Sequence, residues 1–256
     1  MSTKENVLKL LEENNDYISG ESIAERLGIS RNAIWKAINE LRKDGYRIDA
    51  VRNRGYLLTS DNDIISKAGI MANVDSATAD AITEIHVYDA LVSTNRTAKE
   101  LAIAGAKNGT VIIANSQTVG KGRKDHSFYS PYGGIYMSII MTPEHLPYIE
   151  NDAITTFIGN AVCSAIANLT DINPRLKPIN DLYIDDKKIC GILTEAGTEF
   201  ETGDLQWIVV GIGINFAVDI SAFPNDIKNK VTTLFPAGDA PISRNQLIAE
   251  ILTQIL

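Results

Sequence analysis

Three short helical patterns in the first 60 residues constrain the fold more than any other feature of this sequence. Apolar residues recur there at the i, i+3, i+4 spacing of amphipathic helices. The three apolar faces are Val7, Leu10 and Leu11, then Ile23, Ala24 and Leu27, then Ile34, Ala37, Ile38 and Leu41. Gly28 stands just past the second helix, the usual place of a left-handed cap, and Ser30 can cap the third. A helix, a short turn with glycine and a further helix make the helix-turn-helix pattern.

Two strand-like segments, Tyr46–Val51 and Gly55–Leu58, follow these helices and predict a wing. Polar residues off the third apolar face, together with the wing, supply candidate DNA contacts at Arg31, Asn32, Lys36, Arg47, Arg52 and Arg54. Arginine and asparagine read guanine and adenine edges, and lysine holds phosphate. A three-helix protein-interaction module with solvated charges remains the alternative. DNA binding is favoured because the wing arginines cluster where a groove contact is needed. Trp35 also lies off the apolar face, and the pattern gives it no role.

Charge is unevenly spread along the chain. The net charge is −8, but the first 60 residues carry ten basic and nine acidic side chains, an excess of one positive charge. The remainder carries 14 basic and 23 acidic residues and is strongly acidic. Any nucleic-acid contact is therefore expected within the first segment.

The sequence indicates a cytoplasmic protein without a membrane segment. It has no apolar run of about 18 residues and no basic start followed by an apolar stretch. The two cysteines, Cys163 and Cys190, lack metal-ligand spacing and are expected to be reduced, so no metal site built by the protein is predicted. The three histidines, His86, His126 and His145, form no catalytic constellation and are interpreted as structural or exposed.

A polar segment at residues 59–63 marks the predicted linker between a domain of residues 1–60 and a domain of residues 61–256. The second domain mixes strands and helices and is expected to be α+β with a mixed sheet. Strands are predicted at 84–88, 110–115, 135–141 and 207–215, helices at 95–104 and 153–169, and a hairpin of 182–184 with 189–194.

Four short motifs in the second domain carry candidate chemistry. The glycines of Gly120-Lys121-Gly122-Arg123 bracket a basic residue, and such a loop can fold amides and cations round an anion. It is not a Walker loop. The other motifs are Ser93-Thr94-Asn95, the segment 177–195 and Gly211-Ile-Gly213-Ile-Asn215. Each motif alone also fits a cap, a hairpin or a surface turn.

Taken in order, the four motifs resemble the catalytic domain of biotin–protein ligases. The winged helix-turn-helix pattern narrows the resemblance to the bacterial bifunctional ligases that also repress the biotin operon, and it covers nearly the whole chain. The resemblance implies a winged helix-turn-helix domain followed by a central mixed-sheet ligase domain. We expect no trace of the small C-terminal β-barrel that such ligases usually carry.

The resemblance also implies the site. Biotin would be bound by Ser93, Thr94, Asn95, Gln117, Gly120, Lys121, Gly122, Arg123, Lys188 and Gly191. ATP would be bound by Arg123, Phe128, Asn180, Asp181 and Asn215, with Asn180, Asp181 and Asn215 also helping to place Mg²⁺. Arg123 and Lys188 would be the catalytic cations, and Phe128 would cover the adenine ring.

The implied reaction has two steps. Biotin and ATP give biotinyl-5′-AMP, and a lysine of the biotin carboxyl carrier protein then takes the biotin. The implied regulation is a homodimer, promoted by the adenylate, that binds operator DNA.

Three segments, together with the expected lack of the C-terminal β-barrel, depart from the family pattern. Lys121 replaces an arginine, Asp125 stands where glycine is usual, and Pro178-Ile179 replaces Trp-Pro. These departures keep open a biotin-sensing DNA-binding regulator with little or no ligase activity. A lipoate-type ligase, which shares the general chemistry, is a third interpretation.

Overall fold

The computed structural model describes residues 2–14, 16–59, 64–145, 151–178, 180–237 and 239–256. The chain forms two compact units, one of Met1–Val74 with Ser243–Ala249 and one of Asp75–Ile242 with Glu250–Leu256. No helix within the described residues is long and apolar enough to cross a membrane.

The first unit is a winged helix-turn-helix. Its helices are α1 (Thr3–Glu12), α2 (Gly20–Leu27), α3 (Arg31–Lys43) and α4 (Lys67–Asn73), and its wing strands are β1 (Ile48–Val51) and β2 (Gly55–Leu58). Gly28 ends α2 in the left-handed region at φ +62°, and the Ser30 side chain accepts a hydrogen bond from the Ala33 amide at the start of α3. The predicted helix-turn-helix, its caps and its wing are confirmed. The four residues predicted to form the apolar face of α3 are all buried.

Two features of this unit extend the sequence-based description. The backbone of Ile18 pairs with Tyr56, so a third segment joins the wing. Gly55 is required there, because a Cβ at its φ of +110° would collide with the Ile18 carbonyl. Tyr46 precedes the wing instead of beginning its first strand. Its hydroxyl lies 2.8 Å from Ser66 Oγ, and burial raises the pKa of Tyr46 to about 12.

The second unit is built on a seven-stranded sheet in the order β3-β4-β5-β9-β8-β7-β6. Its strands are β3 (Glu84–Leu91), β4 (Thr110–Gln117), β5 (Ile135–Met141), β6 (Arg175–Lys177), β7 (Asp181–Ile184), β8 (Lys187–Thr198) and β9 (Leu205–Ile214). Among the strands that the structure describes, β3 and β4 pair in parallel and the other neighbouring strands pair antiparallel. The predicted mixed sheet is confirmed.

The helices of this unit explain why the central strands are so apolar. They are α5 (Ser76–Ala81), α6 (Thr94–Ile103), α7 (Asn151–Leu169) and α8 (Asn225–Lys228), and α9 (Arg244–Ile255) belongs partly to each unit. Every residue of β5 is buried. Ala98 and Ala102 of α6 pack with apolar side chains of β4, β5 and β9, while α7 packs on β6, β7 and β8.

The structure differs from the predicted elements at their ends and in short elements that lack a clear apolar period. Strand β3 runs three residues past its predicted end, and β6, α4, α5, α8 and α9 were not predicted. The edge strand β6 has only three residues, and α5 consists of small and polar residues, so neither carries a clear apolar period. The first unit continues to Val74 rather than to residue 60 because α4 packs against α1. Residues 60–63 of the predicted linker and Ile179 lie outside the described residues.

Candidate functional site

A cavity of about 300 Å³ opens where the ends of several strands meet. Strands β3 and β4 are parallel, so the turn after β3 and the end of β4 lie at one edge of the sheet, with Leu91 paired to Gln117. The helix that begins at Thr94 therefore starts beside Gln117. Strands β8 and β9 bring Gly191 and Gly213 together in the same region. This topology gathers motifs that lie more than a hundred residues apart in sequence.

A hydrogen-bonded polar network forms one side of the cavity. The Thr94 amide donates to Gln117 Oε1 at 2.8 Å, and Gln117 Nε2 donates to Ser130 Oγ at 2.9 Å. Ser138 Oγ lies 2.8 Å from Thr94 Oγ1. Ser93 lines the same wall, and within the described residues its hydroxyl makes no hydrogen bond. Ser93 and one N–H of Gln117 are thus available to a ligand.

Asn95 continues this network, and the protein uses both N–H groups of its amide. Its Nδ2 donates to the Leu193 carbonyl at 3.2 Å and to Glu195 Oε2 at 2.9 Å, and Ser138 Oγ donates to its Oδ1 at 2.7 Å. Lys99 Nζ binds the other oxygen of Glu195 at 2.6 Å. Asn95 lines the cavity, as predicted for a biotin contact, yet its amide is held by the protein.

Glu195 is a half-buried carboxylate whose charge this network stabilises. Burial alone would raise its pKa, but hydrogen bonds from Lys99 and Asn95, with the nearby charges of Lys99 and Lys121, outweigh burial and hold the pKa of Glu195 below its usual value. Glu195 therefore fixes the start of α6 onto β8 as an anion.

Glycines in β8 and β9 allow side chains to lie directly on the sheet. A Cβ at Gly211 would overlap the Asn95 amide, so Gly211 makes room for the start of α6. A Cβ at Gly213 would lie 2.7 Å from Phe128 Cε1, and one at Gly191 would lie 3.1 Å from Cε2. The Phe128 ring is thereby seated over both glycines, with its edge toward Tyr136 at a centroid distance of 6.3 Å.

The glycine-bracketed basic loop is a short hairpin that closes on itself. The Phe128 amide donates to the Gly120 carbonyl at 2.8 Å, and the Gly122 amide donates to the His126 carbonyl at 2.7 Å. Lys124 turns the chain at φ +52°. Lys121, Gly122 and Arg123 line the cavity. Gly120 does not. A Cβ at Gly120 would meet the Phe128 carbonyl, so this glycine allows the hairpin to close.

Lys188 and Asp181 form an ion pair in the cavity wall. Lys188 Nζ lies 2.7 Å from Asp181 Oδ1, and about a quarter of each side chain is exposed. The contact is an electrostatic pair rather than an aligned hydrogen bond. The ammonium also lies 5.8 Å from the centroid of the Phe128 ring. One cation therefore faces both the aromatic slot and the carboxylate.

The two predicted asparagines differ in position. Asn180 lines the cavity and donates through Nδ2 to the Ile192 carbonyl at 3.3 Å. Asn215 is 2% exposed and lies outside the cavity lining, which differs from the predicted contact with ATP. Its Nδ2 donates to the Thr232 carbonyl at 3.0 Å. Its Oδ1 is buried without a hydrogen-bond partner among the described residues. Asn215 thus fastens the end of β9 to the segment around Thr232.

The structure brings most of the predicted site residues together. Those lining the cavity are Ser93, Thr94, Asn95, Gln117, Lys121, Gly122, Arg123, Phe128, Asn180, Asp181, Lys188 and Gly191. Sequence reasoning missed Ser138 and Lys99, because a serine in an apolar strand and a lysine on a helix carry no signal of their own. His126 is exposed, as predicted, and lies at the cavity. No metal-binding group of three or more His, Cys, Asp or Glu residues is found in the described part of the chain.

All six predicted DNA-contacting side chains are exposed in the first unit. Arg31 Nη2 lies 2.9 Å from Glu21 Oε2, and Arg54 lies 3.3 Å from Asp16 and stacks on the Tyr17 ring at 4.3 Å. Exposed pairs of this kind contribute little energy, so phosphate can replace the carboxylate partner.

Comparisons with known proteins agree with this architecture. The model described as "HTH domain" matches residues 3–57, and that of the "Biotin/lipoate A/B protein ligase family" matches residues 87–215. These matches define the class, a biotin/lipoate-type protein ligase that carries a helix-turn-helix domain. The bifunctional ligase/repressor BirA of Bacillus subtilis is 36% identical over 239 residues, which cover 93% of this chain and 72% of that protein. The corresponding Escherichia coli protein is 30% identical, with 94% and 72% covered. The chain belongs to the family of bifunctional biotin–protein ligase/repressors.

A solved structure supports the same assignment. The biotin protein ligase from Aquifex aeolicus in complex with biotin and ATP is 27% identical, with a TM-score of 0.58. The similarity covers 68% of this chain and 69% of that one. The predictions of the family, the fold class and a ligase enzyme are confirmed.

Proposed function

We propose that the second unit converts biotin and ATP into biotinyl-5′-AMP and pyrophosphate, and then transfers biotin to a lysine of the biotin carboxyl carrier protein. The observation that carries this proposal is the single cavity that joins a polar wall at Ser93 and Gln117, cations at Arg123 and Lys188, and an aromatic slot at Phe128. The Aquifex aeolicus ligase was solved with biotin and ATP, the two substrates that such a cavity has to hold together.

The polar wall suits the ureido group of biotin, which both donates and accepts hydrogen bonds. The Ser93 hydroxyl and the second N–H of Gln117 are the groups that the protein leaves unused. Thr94 and Asn95 then act by holding Gln117 and the start of α6 in place. Since no rearrangement of the polar network is needed, binding would cost little ordering entropy.

The cations serve the first step. A carboxylate oxygen of biotin attacks the α-phosphorus, a new O–P bond forms, and the bond to pyrophosphate breaks. Arg123 offers paired N–H groups, and Lys188 and Lys121 offer point charges, for the carboxylate and the α-phosphate. The nucleophile is part of the substrate, so no general base is required and positioning with charge stabilisation supplies the catalysis.

The carboxylate of Asp181 fits a Mg²⁺ ion that enters with ATP. Mg²⁺ is usually held by one or two carboxylates together with substrate phosphates, and Asp181 is the described carboxylate that lines the cavity. Mg²⁺ supplies positive charge to the phosphates when it is bound. The role of Asp181 itself is to hold Lys188 until the substrates arrive and then to share that charge with them.

The second step again takes its nucleophile from a substrate. The ε-amine of the carrier lysine attacks the acyl carbon of the mixed anhydride, an amide bond forms, AMP leaves, and the amine proton passes to solvent. The Phe128 ring over Gly191 and Gly213 would hold the adenine ring during both steps. A location in the cytoplasm belongs to the same proposal, because ATP and the carrier are supplied there.

The first unit would bind operator DNA as part of a homodimer. Phosphate contacts from Lys36, Arg52 and Arg54 would fix the wing and α3 on the duplex, and Arg31 and Asn32 at the start of α3 would reach base edges. Ordering of the loop 120–128 by the adenylate would favour the dimer, and two half-sites would favour a two-fold protein.

An adenylation assay tests the enzyme. The whole chain is incubated with biotin and Mg-ATP, and pyrophosphate release and tightly held biotinyl-5′-AMP are measured, with lipoate as the parallel substrate. We expect both products with biotin and neither with lipoate. Products with lipoate alone would indicate the lipoate-type ligase, and biotin-dependent operator binding without either product would indicate a sensing regulator.

A further inference from the structure

Trp35 is an aromatic residue that the first unit does not use for folding. The core of that unit is made by apolar residues of α1, α2, α3 and the wing, and Trp35 is not among them. Its side chain is 58% exposed. Within the described residues it makes no hydrogen bond and no aromatic contact. An exposed tryptophan of this kind gains its burial energy only when a partner covers it.

Trp35 lies on the same face as the proposed base-reading residues. It follows Arg31 by one helical turn, about 40° further round the α3 axis, and Asn32 is about 60° beyond it. The buried stripe of α3 centres about 110° from Trp35, on the far side of Arg31, and Ile38 is its nearest member at about 60°. The start of a recognition helix is the part that enters the major groove. Trp35 is therefore placed where a base edge would meet it.

The chemical groups of the Trp35 side chain match the edge of one particular base. Tryptophan offers an apolar ring and one N–H donor, and it has no acceptor. In the major groove, thymine alone presents both a methyl group and an acceptor, its O4 atom. Guanine has acceptors without a methyl, cytosine has a donor, and adenine has a donor and an acceptor without an apolar group. We propose that Trp35 reads a thymine in each operator half-site, an inference that rests on the proposed repressor function.

Charge around Trp35 favours duplex DNA over a protein partner. Lys36 is its neighbour on α3, and Arg52 stands on the facing wing; both are exposed and have no charged partner among the described residues. Glu21, Arg31 and Arg52 line a neighbouring groove between α2, α3 and the wing, and the exposed Glu21 carboxylate that pairs with Arg31 there is one that a phosphate can replace. A basic rim around an apolar tip fits phosphates on either side of a base.

Selection from a random duplex library tests this inference. The whole chain, Trp35→Ala and the control Phe200→Ala are each selected with biotin and Mg-ATP present. Phe200 is a fully exposed aromatic of the second unit, so its loss should leave the selected sequence unchanged. We expect the unaltered chain and the control to require thymine at one fixed position of each half-site. Trp35→Ala should select the same site with that position randomised.

A second measurement isolates the methyl group. Replacing that thymine with deoxyuridine should weaken binding by the unaltered chain about tenfold and leave Trp35→Ala unchanged. If the unaltered chain selects no sequence, the repressor function and this inference both fail. If Trp35→Ala keeps the thymine preference, or loses affinity equally for operator and unrelated duplex, the inference fails and the repressor function stands.

Discussion

Gly213→Ala tests whether the Phe128 ring must lie on the sheet for ATP to bind. The added methyl would stand 2.7 Å from Phe128 Cε1 and 2.9 Å from Cζ, where 3.4 Å or more is ordinary, so the ring must retreat by about 0.7 Å. Displacements approaching 1 Å at a reacting site can cost about 100-fold in rate, and overpacking of this kind costs ~1–3 kcal/mol. We expect kcat/KM for ATP to fall about 10- to 100-fold.

Gly191→Ala provides a graded comparison at the same ring. Its methyl would lie 3.1 Å from Phe128 Cε2 and 3.2 Å from Lys188 Nζ, so the ring has to move by only about 0.3 Å and the flexible lysine side chain by less. The loss should accordingly be several times smaller than for Gly213→Ala. Biotin affinity measured without ATP should change little in Gly213→Ala, because the added methyl meets none of Ser93, Gln117 and Lys188.

A double variant separates a steric effect from a general loss of folding. In Phe128→Ala the ring is gone, so adding Gly213→Ala should cost almost nothing further. Pyrophosphate release against ATP concentration gives the rates, and thermal unfolding checks that each variant is folded. The steric explanation is refuted if the two substitutions combine additively, or if Gly213→Ala matches the unaltered chain.

Three further substitutions test the charged groups of the site. Lys188→Met should lower adenylate formation about 100- to 1000-fold by removing a cation from the reacting phosphate, while Lys187→Met, at an exposed neighbouring position, should be nearly neutral. Arg123→Ala should weaken biotin and adenylate binding by ~1.5–3 kcal/mol in calorimetry, and an unchanged affinity would contradict its role. Glu195→Gln should lower the free energy of unfolding at pH 7 by ~1 kcal/mol, since the ion pair with Lys99 is partly solvated. The pKa of Glu195 in the folded protein is below its ordinary value of 4.5. The difference in unfolding free energy between Glu195→Gln and the unaltered chain should therefore persist above pH 4.5 and vanish as the pH falls below 4.5. A difference that grows in acid would contradict the assignment.

Periodicity predicted the first unit well because its helices each bury one face. The cap at Gly28 and the apolar face of α3 follow from backbone strain and from spacing, both of which are local properties. Helix α4 could not be predicted in the same way. It has only seven residues, and it is stabilised by packing on α1, which is distant in sequence.

The candidate site was predictable as a set of motifs but not as a set of roles. The family resemblance placed Gln117 and Asn95 in one pocket, yet it could not say that Leu193 and Glu195 take both N–H groups of Asn95 and that Ser138 donates to its oxygen. Those partners come from two strands whose register depends on the whole sheet. For the same reason Asn215, predicted to contact ATP, is found fastening β9 to the backbone at Thr232.

The ion pair of Lys188 with Asp181 holds the lysine in place until the substrates bind and compete for it. Asp181 Oδ1 lies 2.7 Å from Lys188 Nζ and gives the ammonium a counterion before any substrate arrives. The α-phosphate and the biotin carboxylate bring negative charge to the same point and compete with Asp181 for Lys188. Removing Asp181 should therefore raise the affinity for neither substrate by much, because the freed lysine would attract both substrates more strongly but lose the carboxylate that holds it in place. Asp181→Asn, which keeps the shape and removes the charge, is accordingly expected to reduce adenylate formation less than Lys188→Met does. The reverse ranking would mean that the contact of Asp181 with the Mg²⁺ of ATP matters more than its pairing with Lys188.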